Sequence, residues 1–368
     1  MARRGIRPKS AVRSASSAAV SSEPIGSRSR RALRTTREDA LDQTVGYCTA
    51  PDGVRIAYAT AGKGPPIVKV GNYLTHLEFD WKSPVWRHVL EGLAEHRQLV
   101  RYDMRGTGLS ERNVGDISFE HFVTDLGAVV DALELERFAL LGISQGGAVS
   151  IAYATRNPQR VSHLILLGAY ARGVVHRSQQ GRELLETRRA VIRQGWGSDD
   201  PSYRQLFSMQ FIPDGTPEQL QWFSELQRVS ATAEVAEKIA MAMASIDVSG
   251  LLPGFKVPTL ILNSRGDRRV PIEAGRELAA LILGARFVTL ESDNHLILAH
   301  EPATEVFFAE VAAFLGDEKP KSWKRSIRVT EAKLQTLARG VETSATYKLF
   351  GIIAVVATVV TFIAWLVS

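Results

Sequence analysis

The sequence predicts an α/β protein whose mostly parallel β-sheet is covered by helices on both faces. Short runs rich in β-branched and other apolar residues alternate with longer amphipathic stretches between residues 46 and 168. This is the pattern of strands joined by crossover helices. The same alternation resumes after residue 258, so both parts of the chain are expected to contribute strands to one sheet.

The individual elements follow from these runs. Helices are predicted near residues 85–95, 119–133, 147–156 and 303–315. The predicted strand over residues 54–60 and the β-rich run that precedes it flank Asp52 and Gly53. These two residues are a turn signal and predict an antiparallel hairpin at the edge of the sheet. The predicted strands cover residues 54–60, 67–70, 98–102, 138–142, 161–167, 259–263 and 286–290.

Residues 172–250 break the alternation, because they are helix-like and carry large apolar side chains among polar residues. We interpret them as a helical cap with a small core of its own, from which some side chains face a ligand. An apolar pocket is therefore expected beneath the cap. The side chains concerned are Trp196, Phe207, Met209, Phe211, Trp222, Phe223, Met241 and Met243.

The net charge of +6 is unevenly distributed along the chain. Residues 1–44 carry +6 and residues 317–368 carry +4, whereas residues 45–316 carry −4. The central domain also lacks a helix with clustered basic residues, which argues against binding of nucleic acid by the core. Residues 1–44 are predicted to be a disordered basic arm, with an organellar transit peptide or a surface-binding segment as the alternatives. Residues 317–348 are predicted to be a basic linker.

The C-terminal segment over residues 349–367 contains nineteen residues without a charge. As a helix it would be about 28 Å long, close to the hydrocarbon thickness of a bilayer. We therefore expect a single-pass transmembrane anchor, with a buried terminal helix as the alternative. The basic residues before it predict that the domain over residues 45–316 lies on the cytoplasmic side of a membrane. The single cysteine, Cys48, fits a reducing compartment.

Ser144 lies in the pattern Gly142-x-Ser144-x-Gly146, after an apolar predicted strand and before a predicted helix. A serine on so tight a turn needs small neighbours and projects its hydroxyl into a pocket. The hydroxyl is a weak nucleophile at neutral pH, so it needs a base and a carboxylate that orients the base.

His295 is the predicted base, because it follows the last predicted strand and so lies at the carboxyl edge of the sheet. Asp267, which follows the preceding strand, is the predicted acid, and Asp293 is a competing assignment that lies close to the histidine in sequence. The developing oxyanion needs hydrogen-bond donors. The backbone N–H of Gln145 is the first candidate, and Asn72 or Tyr73 in the loop after the strand over residues 67–70 supplies the second.

These motifs resemble the α/β-fold hydrolase superfamily. Residues 102–110 are similar to its D-x-R-G-x-G-x-S segment, and residues 45–316 carry the elbow, acid and histidine in the same order. Within the superfamily, residues 75–95 and 140–173 resemble most closely the bacterial hydrolase modules that are fused to nucleotide-cyclase or DNA-binding regulatory domains. The resemblance implies an eight-stranded sheet with a helical cap, and we interpret Asp103 and Arg105 as residues that brace the loop.

The functional expectation is a serine esterase acting on a carboxylic ester or related acyl substrate, and this substrate is expected to be a small, apolar molecule. Carbon–carbon cleavage and cofactor-free peroxidation use similar triads and stay open. The alternative is a ligand-sensing module with little or no turnover. No cofactor or metal is implied, and the sequence does not predict protein partners.

Overall fold

One eight-stranded sheet organises the described part of the chain. The structure is a computed structural model, and it describes residues 41–321, apart from 197, 199 and 201, together with residue 324. Each predicted strand forms, and its ends lie within one residue of the predicted ends. The strands are β1 (Thr44–Thr49), β2 (Arg55–Ala61), β3 (Pro66–Lys69), β4 (Gln98–Tyr102), β5 (Phe138–Ile143), β6 (Val161–Leu167), β7 (Thr259–Ser264) and β8 (Arg286–Leu290).

Helices connect these strands and cover the sheet. The four helices between β6 and β7 belong to residues 172–250, which we call the cap; the domain limits predicted from the sequence stay predictions. The helices are α1 (Leu77–Trp81), α2 (Arg87–Ala94), α3 (Phe119–Ala132), α4 (Gln145–Arg156), α5 (Gln179–Gly195), α6 (Ser202–Ser208), α7 (Pro217–Ser230), α8 (Ala233–Ala244), α9 (Ile272–Leu281) and α10 (Pro302–Leu315).

The sheet is mixed rather than uniformly parallel. Its strand order is β1-β2-β4-β3-β5-β6-β7-β8. The strand β2 runs antiparallel to both β1 and β4, whereas the pairings from β4 through β8 are parallel. The predicted hairpin at the sheet edge is thus confirmed. Its turn closes through Gly53, whose φ of +91° is readily adopted only by glycine.

The strand order reverses between β3 and β5, and this reversal places the functional site. The chain passes from β3 outward to β4 and then returns to the other side of β3 to form β5. In open α/β sheets the crevice at the carboxyl ends of such strands is where ligands bind. The loop after β3 and the turn after β5, which hold the predicted oxyanion donors and Ser144, therefore meet at this crevice.

The predicted fold class is wrong in one respect, because it included a transmembrane helix. No helix in the described ranges is both long enough and apolar enough to cross a membrane. The longest of them, α5, spans 17 residues and carries arginine and glutamate on its outer face, so it is a surface helix. The predicted span over residues 349–367 lies outside the described residues, as do residues 1–40 of the predicted arm and nearly all of the predicted linker beyond residue 321.

Arg105, in the loop after β4, joins three parts of the fold. Its guanidinium donates to both carboxylate oxygens of Asp125 on α3, at 2.6 and 2.9 Å. It also donates to Asp52 in the β1–β2 turn at 2.6 Å. The side chains of Arg105 and Asp125 are each only 1% exposed. Burial raises the pKa of Asp125, and the hydrogen bonds from Arg105 oppose that rise. The bracing role predicted for Arg105 has its geometric basis here.

Replacing Arg105 by leucine is expected to lower the free energy of unfolding by about 3–5 kcal/mol, because Asp125 would be left buried and unpaired. Urea unfolding followed by circular dichroism measures the change. Arg156→Ala is the matched control, since Arg156 on α4 also forms a bidentate ion pair with a carboxylate of α3, that of Glu120, but this pair is exposed to solvent. The control is expected to cost less than about 1 kcal/mol. Equal losses in both variants would contradict the structural role of the buried pair.

Candidate active site

Ser144 lies on a sharp turn between β5 and α4. Its φ of +56° and ψ of −128° form a backbone conformation that few residues other than glycine adopt. The surrounding space is tight: a methyl group added at Gly142 would lie 2.6 Å from the Cα atom of Gly147, and one added at Gly147 would lie 2.4 Å from the Cβ atom of Ala169. The glycines thus let the strand and helix approach closely enough to form the turn.

Asp267 and His295 are in direct contact. The Nδ1 atom of His295 lies 2.7 Å from Oδ2 of Asp267. The other carboxylate oxygen accepts hydrogen bonds from the backbone N–H groups of Arg269 and Val270, at 2.8 and 2.9 Å. This bonding fixes the carboxylate against the ring. The competing acid, Asp293, lies instead beside Gly266, where an added methyl group would be 1.8 Å from its Oδ1 atom.

The second ring nitrogen of His295 is available for proton transfer. The side chain is 0% exposed, and Nε2 is buried without a hydrogen-bond partner among the described residues. No hydrogen bond joins Nε2 to the Ser144 hydroxyl in this structure. Catalytic hydrogen bonds often form only when the substrate binds, so His295 stays the candidate base.

The end of β6 links the histidine–aspartate pair to the turn that carries Ser144. The backbone N–H of Ser144 donates to the carbonyl of Leu167 at 3.0 Å. The next residue, Gly168, has a φ of +54° and packs against the pair. A methyl group added there would lie 3.0 Å from Cε1 of His295 and 3.3 Å from Oδ2 of Asp267. The three predicted catalytic residues therefore surround one strand end.

The cap holds the loop that carries His295. The backbone N–H of His295 donates to the carbonyl of Phe211 at 2.8 Å, and the two rings meet edge to face with centroids 5.5 Å apart. The neighbouring Asn294 accepts a hydrogen bond from the backbone of Asp214 at 3.0 Å. The position of the histidine thus depends on the cap as well as on the sheet.

The predicted oxyanion donors lie where the start of α4 meets the loop after β3. A methyl group added at Gly146 would lie 3.2 Å from the carbonyl oxygen of Gly71, so helix and loop are in close approach. Within the described ranges, neither the backbone N–H of Gln145 nor that of Tyr73 donates a hydrogen bond. Two such N–H groups beside a nucleophile have the chemistry of an oxyanion hole.

The side chain of Asn72 is already engaged, so its role differs from that of a free donor. Its Oδ1 atom accepts a hydrogen bond from Lys69, and its Nδ2 donates weakly to the carbonyl of Tyr73 at 3.4 Å. The Lys69 ammonium also lies 4.6 Å from the centre of the Trp86 ring. Burial lowers the pKa of Lys69 to about 8. Lys69, at the end of β3, therefore holds the loop after β3 in place through its hydrogen bond to the Asn72 side chain.

A cavity of about 260 Å³ contains Ser144 and lies between the cap and the carboxyl edge of the sheet. Its walls come from α5, α8 and the loop after β7. The sequence predicted an apolar lining, and that prediction is incomplete, because four arginines face the cavity alongside the apolar residues. They are Arg177, Arg188, Arg268 and Arg269.

The aromatic residues of the cap mostly form its core, as predicted. Trp196, Phe207, Phe211 and Phe223 are buried, and each contacts another member of the group or Tyr73. For one of the arginines, Arg188, the sequence shows which residues share its helix face, but not that this face meets the cavity. Positions 181, 184, 185 and 188 of α5 all line the cavity, at the spacing of one helix face.

A family model described as alpha/beta hydrolase fold matches residues 79–302, which is more than half of the chain. The chain belongs to this family. The superfamily predicted from the motifs is therefore confirmed, and the chain is an α/β-fold hydrolase. The match includes the elbow, Asp267 and His295. The closer likeness to modules joined to regulatory domains stays a prediction.

Individual relatives agree with this assignment. The chain is 30% identical to the 2-hydroxy-6-oxo-2,4-heptadienoate hydrolase of Pseudomonas putida over 258 residues, which are 66% of this chain and 86% of that protein. It is 26% identical to the pyrrolizixenacetamide deacetylase of Xenorhabdus hominickii, over 72% of this chain and 96% of that one. The crystal structure of the enol-lactonase from Burkholderia xenovorans superposes on this chain with a TM-score of 0.62 at 25% sequence identity. The superposition covers 74% of this chain and 100% of the enol-lactonase chain.

Proposed function

We propose that this α/β-hydrolase cleaves a carboxylic ester or related acyl compound, with Ser144 as nucleophile, His295 as base and then acid, and Asp267 as the residue that orients the histidine. One observation carries the proposal. His295 is held by Asp267 through Nδ1 at 2.7 Å, while its Nε2 is buried without a partner among the described residues. A neutral imidazole held this way has its lone pair at Nε2, ready to accept a proton.

The proposed reaction has two halves. Ser144 Oγ attacks the acyl carbon as its proton passes to Nε2 of His295, and the developing oxyanion is bound by the N–H groups of Gln145 and of Tyr73 or Asn72. The carbon–oxygen bond to the leaving alcohol then breaks, and the alcohol takes the proton from His295. Water attacks the acyl-Ser144 ester in the same way, which releases the carboxylic acid and restores the serine hydroxyl.

The names of the relatives support acyl chemistry without fixing the substrate. One is named a deacetylase and another an enol-lactonase, and further relatives are named putative carbamate hydrolases. Each of these names describes cleavage of a bond between an acyl carbon and nitrogen or oxygen. The name of the Pseudomonas putida relative specifies an oxo-dienoate, which keeps carbon–carbon cleavage open as the reaction of a similar site.

Labelling with a fluorophosphonate probe tests the activated serine. Wild type, Ser144→Ala and His295→Ala are incubated with the probe, and the modified residue is located by mass spectrometry. We expect labelling of wild type at Ser144 and little or none in either variant, because the probe reacts only with a serine whose proton is removed.

Two further results would change the conclusion. Labelling of His295→Ala at the wild-type rate would contradict the role of the histidine. An unlabelled wild type with an intact circular dichroism spectrum would contradict the hydrolase proposal and favour the ligand-sensing alternative.

A further inference from the structure

The cavity that contains Ser144 carries an excess of positive charge. Four arginines line it, and no aspartate or glutamate does so in the part of the chain that the structure describes. Two of the arginines, Arg188 and Arg269, are half-buried, whereas Arg177 and Arg268 are exposed. A half-buried cation normally has a partner, because removing a charge from water is costly. The lining therefore lacks the negative charge that would balance it.

Arg188, on the cap helix α5, is the clearest case. Its guanidinium Nε atom is buried and has no hydrogen-bond partner among the described residues. Other arginines on the same helix are paired: Arg189 and Arg193 both bind Glu237. Burial, and next the positive charge of Arg269, lower the pKa of Arg188 to about 9. The site thus disfavours an isolated guanidinium and would be stabilised by an anion.

Arg269 lines the cavity from a different element, the loop after β7. Its guanidinium lies 4.9 Å from the centre of the Phe211 ring and 5.7 Å from that of Phe207, so aromatic faces hold it in place. Its Nη1 atom is buried without a partner within the described ranges. Its backbone N–H donates to Oδ1 of Asp267 at 2.8 Å, so Arg269 belongs to the loop that holds the catalytic acid proposed above.

We infer that Arg188 and Arg269 bind a carboxylate on the acyl part of the substrate, so that the substrate class is a small half-ester of a dicarboxylic acid. This inference rests on the proposed function for the position of the ester at Ser144. Planar guanidinium groups match a carboxylate in geometry as well as charge. The acyl part of the substrate stays attached to Ser144 after the alcohol leaves. An anion site in the wall of the cavity that contains Ser144 therefore holds the acyl part through both halves of the reaction. The cavity of about 260 Å³ suits a short chain, since pockets for drug-sized ligands begin at roughly 300 Å³.

Pairs of methyl esters that differ only in the carboxylate test the inference. The full-length protein is assayed for methanol release from monomethyl succinate, glutarate and adipate, each beside methyl butyrate, valerate or hexanoate of the same chain length. We expect wild type to prefer at least one carboxylate ester over its neutral counterpart by about tenfold or more in kcat/KM. Arg188→Gln is expected to reduce that ratio about 10- to 100-fold, mainly through KM, because one charge-assisted bond is lost.

Two variants control for structural effects. Arg188→Lys keeps the charge but loses the planar fork, so it is expected to retain an intermediate ratio. Arg193→Gln lies on the same helix, outside the cavity lining, and is expected to leave the ratio unchanged. If Arg188→Gln lowers both members of a pair equally, or if wild type prefers the neutral esters, the inference is overturned while the hydrolase proposal stands.

Failure of the proposed function is recognised separately, as absence of turnover on every ester together with absence of fluorophosphonate labelling. In that case calorimetric titration with glutarate decides about the anion site. Binding to wild type that weakens at least about tenfold in Arg188→Gln would support the site, and no binding to wild type would overturn it.

Discussion

Ser144→Ala is expected to lose hydrolysis of p-nitrophenyl acetate down to the rate of the buffer. The substitution removes the one atom proposed to attack the acyl carbon, and loss of the serine in a comparable triad lowers kcat by about 10⁶-fold. The variant should fold, because alanine adds no atoms to the crowded turn. Initial rates over a range of enzyme concentrations measure the effect, since residual activity must scale with enzyme to be real.

Ser150→Ala is the matched control for this experiment. Ser150 is a buried serine on α4, the helix that follows Ser144, and its hydroxyl donates to the carbonyl of Gly146 at 2.6 Å. It does not line the cavity. We expect kcat within a few-fold of wild type and a loss of stability of about 1 kcal/mol. Wild-type turnover in Ser144→Ala would show that another residue, or another protein in the preparation, is responsible.

The turn at Ser144 could be predicted because its signals are local. An apolar run, two glycines around a serine and a helix-forming stretch lie within about twenty residues, and β5 and α4 form there as expected. The contact between Asp267 and His295 is not local, since 28 residues separate them. It could be anticipated only because each residue follows a strand, and parallel strands bring their carboxyl ends to one edge of the sheet.

Other features depend on packing that the sequence does not display. The antiparallel pairing of β2 with β4 follows from how distant strands meet, not from either strand's own pattern. The arginines of the cavity were hidden for a similar reason. Arginine on a surface helix usually faces solvent, and only the fold shows that Arg188 turns inward while Arg193 pairs with Glu237 outside. Hydropathy also predicted a membrane span, over residues 349–367, which lie outside the described residues. No helix of the described part is long and apolar enough to cross a membrane.

Asp267→Asn is expected to lower kcat by about 10⁴-fold, the loss seen when the same change is made in a serine protease triad. The hydrogen bonds of this site explain why. The backbone N–H groups of Arg269 and Val270 both donate to Oδ1, so the amide of the variant must turn its oxygen toward them. Its NH₂ group then faces Nδ1 of His295, which can only accept, and the ring proton moves to Nε2. A protonated Nε2 cannot take the proton of Ser144.

Asp293→Asn separates this account from the competing assignment. If Asp267 orients the histidine, the Asp293 variant should keep kcat within a few-fold of wild type on p-nitrophenyl acetate, because Asp293 lies against Gly266 and has no hydrogen bond to His295 within the described residues. The reverse order of effects would identify Asp293 as the acid. Comparable losses of kcat in both variants would mean that the loop conformation, and not the tautomer of His295, limits the reaction. Measuring the unfolding midpoint of each variant in urea decides between these readings, since the tautomer argument predicts a loss of kcat without a matching loss of stability.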